Sequence, residues 1–130
     1  MGSERPVTVE QMLASPAFTE AELLAGETGL HATVAEVALR MRLRDDAPPS
    51  PGEFVVLDAA GIGEHTYQVD MAIRIIADAG AVSLVVTNPG FEMGLGVRRL
   101  ANRFGVPLIV VPDADALHLT HRLRSQRLSR

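Results

Sequence analysis

The sequence predicts an α/β fold: a short, mostly parallel sheet with a β-α-β-α-β core, flanking helices, and one or two extra strands from the N-terminal third. Three observations predict it. The runs at 54–57 (FVVL), 82–86 (VSLVV) and 108–111 (LIVV) are short and almost uniformly apolar, as strands buried on both faces are. The segments between them carry apolar residues at helical spacing and end on Gly80 and Gly105, each placed as a C-cap. Apolar residues make up 47% of the chain and aromatics 4%, so the core is aliphatic and suits parallel strands under helices.

The first element is a short helix. Thr8 followed by Gln11 fits a capping box, Met12 and Leu13 are its apolar residues, and Ser15-Pro16 stops it. Residues 21–25 and 33–39 read as strands, with 17–24 also open to a helical reading, and the Gly26–Gly29 spacing predicts a tight turn pairing the two strands. Residues 40–46 are charged, and 47–52 (APPSPG) exclude regular structure, so a surface loop is expected there. The strand at 54–57 is followed by a helix with the stripe Val69, Ala72, Ile73, Ile76 and Ala77. The strand at 82–86 is followed by a second helix with Met93, Val97, Leu100, Ala101 and Phe104. Both crossovers are long enough for right-handed parallel connections. Asp113 is expected to cap a last helix running to the C-terminus.

Composition excludes several chemistries. The chain has 130 residues, the size of one domain, and a net charge of −4, which disfavours nucleic acid as a bulk partner. Its twelve basic residues are all Arg, so lysine Schiff-base, P-loop and general-base chemistry are absent. With no Cys there is no disulfide, thiolate nucleophile or cysteine-held metal. No apolar run approaches the ~18 residues of a membrane span, and no signal peptide is visible, so a cytoplasmic location is expected. Residues 1–6 read as a disordered tag scar and residues 113–130 as a C-terminal helix, with the whole chain a single domain.

In this order the residues resemble a known family. Thr8–Leu13, the GETGL segment at 26–30, Gly52-Glu53 ahead of the 54–57 strand, AGAVSLVV at 79–86 and PLIVVP at 107–112 together look like the N-terminal domain of the purine catabolism regulator (PucR-like) family of bacterial transcription regulators. The resemblance covers residues 7–111. It implies a non-enzymatic regulatory domain that senses a small, purine-related effector or passes on a state through a homodimer. DNA contact would come only through a helix-turn-helix that this chain does not carry. The sequence departs from the family pattern in two places. Asp58-Ala59-Ala60-Gly61 replaces a usual Thr-Thr-Gly, and no His or Trp stands at 35–39.

Ligands of open parallel sheets bind beyond the carboxyl ends of the strands. Those ends carry Asp58, Gly61 and Gly63, then Thr87 and Asn88, then Pro112-Asp113. Gly61 and Gly63 would let backbone N–H groups approach a ligand, and Asp58, Thr87 and Asn88 would supply polar contacts. The same residues also suit ordinary strand-to-helix turns, and without a third spaced glycine there is no dinucleotide fingerprint. His118 and His121 share a helix face without a third ligand, so no metal or other cofactor is expected. His65 near Asp58 suggests an acid/base pair, but no nucleophile completes an enzyme site. The tail holds Leu117, Leu119, Leu123 and Leu128 among Arg122, Arg124, Arg127 and Arg130. Self-packing of these leucines on the sheet ranks ahead of a dimer or linker helix, and nucleic-acid contact comes last. The alternatives to a metabolite sensor are a structural dimerisation module without ligand and a small stand-alone enzyme.

Overall fold

A computed structural model of the protein describes residues 6–40, 47–58, 67–89 and 92–128. Among these residues seven strands and four α-helices follow one another: β1 (Val7–Thr8), α1 (Val9–Leu13), β2 (Glu22–Ala25), β3 (Thr33–Val34), β4 (Glu36–Arg40), β5 (Glu53–Asp58), α2 (Tyr67–Ala79), β6 (Ser83–Thr87), α3 (Leu95–Phe104), β7 (Leu108–Val111) and α4 (Ala116–Leu128). Single 3-10 turns occupy Pro16–Phe18 and Glu27–Gly29.

The main sheet has the order β2-β7-β6-β5-β4. Strands β4, β5, β6 and β7 run parallel, and β2 joins β7 antiparallel with an irregularity between Leu23 and Ala25. The β-α-β-α-β core is therefore as expected, and the N-terminal third extends it at both ends. The pairing expected between residues 21–25 and 33–39 does not form, because β2 and β4 occupy opposite edges of the sheet. The 33–39 run also divides. β3 pairs antiparallel with β1 in a separate two-stranded sheet, while the Ala35 N–H turns to the Gly52 carbonyl (2.8 Å) and starts β4 beside β5.

The GETGL segment is thus a 3-10 turn and not a hairpin. Gly26, at φ 82°, and Gly29 lie against the α3–β7 connection. An added Cβ would stand 2.0 Å from the Val106 carbonyl oxygen in one case and 2.0 Å from that of Gly105 in the other. Only glycine allows this approach of two backbones. The same segment gives its Gly26 N–H to Asn102 Oδ1 at 2.7 Å.

Strand alternation sends side chains into two aliphatic layers. Val55, Leu57, Leu84, Val86 and Leu108 meet α2 and α3 through Val69, Ile73, Ile76, Val97 and Ala101. On the other face Phe54, Val56, Val85, Ile109 and Val111 meet α1 and α4 through Met12, Leu119 and Leu123. Of the expected helix stripes most residues are buried, Ala77 and Leu100 are half-buried, Met93 is buried but lies ahead of α3, and Phe104 is 40% exposed, with the guanidinium groups of Arg74 and Arg103 about 6 Å from its ring. The Thr8–Gln11 capping box is present in both directions, at 3.0 and 3.2 Å.

The cap of α4 differs from expectation: Asp115, not Asp113, accepts the His118 N–H (3.0 Å). The expected loop also begins later than residue 40. Arg40 closes β4 and reaches back along the sheet to Glu53, while residues 41–46 lie outside the described ones.

Candidate functional site

Because β5, β6 and β7 are parallel, their last residues share one edge. Asp58 stands opposite Thr87, and Thr87 opposite Val111. Three of the five residues expected to bind a ligand, Asp58, Thr87 and Asn88, are therefore brought together. Gly61 and Gly63 lie outside the described residues, as does His65.

Thr87 has no accessible surface, and its Oγ1 has no hydrogen-bond partner among the described residues. An unmet buried hydroxyl costs roughly 1–3 kcal/mol, and a valine would fill the same volume without that cost. By alternation Thr87 and Asp58 face the α1/α4 side, in line with Val85 and Val56.

Asn88 is left-handed (φ 50°), a conformation Asn tolerates better than most residues. Its N–H donates to the Val111 carbonyl at 2.9 Å. Its side-chain Oδ1 accepts the Ala114 N–H at 3.2 Å, and its Nδ2 donates to the Ala114 carbonyl. The amide therefore ties the turn after β6 to the turn after β7 and fixes the shape of the edge.

On the α3 side of the same edge lies an open cleft of about 290 Å³. Glu22 and Leu24 of β2, Val110 of β7, Glu92 and Met93 ahead of α3, and Arg98 of α3 line it. Glu22 and Val110 are register partners, so the antiparallel addition of β2 builds one wall. Arg98 Nε donates to the Met93 carbonyl at 3.3 Å. No local pattern marks these residues in the sequence, because the wall exists only once β2 pairs with a strand more than eighty positions away.

At the opposite end of β5, Glu53 is fully buried, and Arg40 meets it through two hydrogen bonds of 2.9 and 2.8 Å. The Ser50 N–H adds a third at 3.0 Å. Burial pushes this carboxyl up, but the Arg40 hydrogen bond, the Ser50 N–H and the Arg40 charge together hold it below its ordinary value of 4.5. The pair braces the start of β5 and lies away from the carboxyl edge.

Among the tail leucines, Leu119 and Leu123 are buried on the sheet, as the self-packing reading expects, and Leu117 is 55% exposed. The side chain of Leu128 lies outside the described ones. His118 and His121 are exposed, and the described residues contain no group of three metal-ligating side chains. No helix among them is long and apolar enough to cross a membrane.

The sequence pattern of the purine catabolism regulatory protein-like family matches residues 11–120. Among solved structures, the chain is similar to the CBS and DRTGG domains of the regulatory region of a Clostridium perfringens pyrophosphatase, determined in complex with the activator diadenosine tetraphosphate. Identity is 17% and the TM-score 0.60, with 93% of this chain and 47% of that one covered. The chain thus spans about half of that structure, and the likeness is one of fold. No curated protein matches the chain.

Proposed function

Since the chain belongs to the purine catabolism regulatory protein-like family, we propose that it is a cytoplasmic, non-enzymatic regulatory domain that binds a small, purine-related effector at the carboxyl edge of its sheet. The observation that carries this reading is the fully buried Thr87 hydroxyl opposite Asp58, which has no hydrogen-bond partner among the described residues. An unmet hydroxyl at the end of the strand calls for a hydrogen-bond partner that the described residues do not supply. Asp58, Thr87 and backbone groups of the segment holding Gly61 and Gly63 make the contacts, and Asn88 holds the edge in shape. That the structural neighbour was solved with a nucleotide activator supports a small-molecule effector here. The bound state is passed on through a homodimer. Contact with DNA is left to a helix-turn-helix outside this chain.

A thermal-shift screen against purines and their breakdown products tests the reading. A ligand at 100 times its dissociation constant adds about 2.7 kcal/mol, which moves the melting point by several degrees. Such a shift, lost in Asp58→Ala and Thr87→Val, is the expected result. A flat response across the panel would leave the domain as a dimerisation module without ligand. Asn88→Ala is the poorer probe, since its loss also releases the Ala114 tie.

A further inference from the structure

We infer that the outward face of α3, together with Arg74 of α2, is a docking surface for an acidic protein segment that carries apolar side chains. The helix sequence LGVRRLANRF holds three arginines and no carboxylate, in a chain whose net charge is −4. Val97 and Ala101 turn into the core, and the row Leu95, Arg99 and Arg103, each one turn from the next, is exposed on the other side. Leu95 is 69% exposed, more than either Phe104 or Leu117. Two of the three large apolar side chains exposed among the described residues therefore stand at the two ends of this one helix.

The cations between those ends are without counter-ions, and two of them are held in place. The guanidinium groups of Arg74 and Arg103 lie 6.0 and 5.8 Å from the centre of the Phe104 ring. Attraction to the ring keeps both charges at the seam between α2 and α3. Among the described residues no carboxylate forms an ion pair with Arg74, Arg99 or Arg103, not even Asp78, one turn beyond Arg74 in α2. Arginine and aromatic side chains are the types enriched where proteins meet. The spacing defines the occupant. Leu95 and Phe104 are the first and last residues of α3, about 13 Å apart along the axis. An extended peptide spans that length in about four residues, so two apolar side chains four positions apart with carboxylates between them meet both ends and the arginines. A nucleic acid offers phosphates but nothing for Leu95, and the net negative charge of the chain opposes its approach. A second copy presents the same basic row, and like charges oppose that contact.

The face lies on the α2/α3 side of the sheet, whereas Asp58 and Thr87 face α4, so it stands whether or not an effector binds at that other site. Titration with the peptide GLEDEFG, followed by amide and methyl NMR, tests it. The expected result is saturable, submillimolar binding with shifts confined to α3 and the neighbouring part of α2, weakened at least about fivefold by raising salt to about 0.5 M. The same peptide with Gln at its three acidic positions, or with Ala at its two apolar ones, is expected to bind at least about tenfold more weakly. Arg99→Gln and Arg103→Gln, both on exposed side chains, each weaken binding about threefold to fivefold. Asp58→Ala leaves it unchanged. No shifts at α3 with the peptide in the millimolar range would overturn the assignment. So would equal binding of the glutamine peptide, tighter binding of a DNA duplex, or dilution shifts at Leu95 and Arg99 that show the row covered by a second copy.

Discussion

Arg40 reaches Glu53 through a two-pronged ion pair, Nε to Oε2 at 2.9 Å and Nη2 to Oε1 at 2.8 Å, although the two residues lie on neighbouring parallel strands and four register steps apart. The guanidinium also donates to the Ala47 carbonyl, so one side chain ties β4, the proline-rich loop and the start of β5 together.

Breaking the pair from one side is the costly change. Arg40→Gln leaves a carboxylate with no accessible surface facing no cation, and is expected to lower stability by about 3 kcal/mol. Replacing both partners with apolar residues, Arg40→Met with Glu53→Leu, is expected to recover most of that loss. Urea denaturation of the three variants checks it; a double variant no better than Arg40→Gln would mean that the loop contact, and not the charge, carries the effect.

Acid acts on the same pair. The folded-state pKa of Glu53 is lowered, so its contribution is present above the ordinary value of 4.5 and is lost as pH falls through the folded value. The stability advantage of the native protein over Glu53→Gln is therefore largest near neutrality and shrinks below about pH 4.5. Calorimetry from neutral pH to pH 2.5 reads the difference directly. Parallel curves would show that the carboxyl has the same pKa folded and unfolded, and an advantage that grows as pH falls would show that it is held above its ordinary value.

Gly29→Ala is expected to cost about 2–4 kcal/mol, since the new methyl meets the Gly105 carbonyl oxygen at 2.0 Å and two backbones must separate. Gly96→Ala, where an added Cβ meets nothing, is the control and is expected to be neutral or slightly stabilising because it lies inside α3. Thermal melts of both variants suffice, and a Gly29→Ala protein as stable as the native one would refute the close approach.

Thr87→Val is expected to raise stability by about 1 kcal/mol, or about 3–5 °C in melting temperature, by removing an unmet buried hydroxyl. A variant that gains stability while losing the effector response would display the trade between stability and binding. A loss of stability would instead reveal a hydrogen bond to Thr87.

Much of the fold was legible in local pattern. The apolar runs that became β5, β6 and β7 announced burial on both faces, and the stripes of α2 and α3 with Gly80 and Gly105 fixed the crossovers. The capping box at Thr8 was legible for the same reason, as its partners lie three residues apart. The cap of the last helix was not: Asp113 was expected, and the path of the chain after β7 put Asp115 there instead.

The sequence by itself thus determined the α/β class, the parallel core, the family and the edge on which Asp58, Thr87 and Asn88 assemble. Only the tertiary structure decided that β2 and β4 close opposite edges, that Gly26 and Gly29 serve backbone contact and not a hairpin, and that Glu22 and Arg98 line one cleft. The reason is physical. Periodicity and capping are set by residues within a turn or two of one another. The partner of an edge strand is chosen by competition among distant strands for the same unpaired N–H and C=O groups, and nothing local records which one wins.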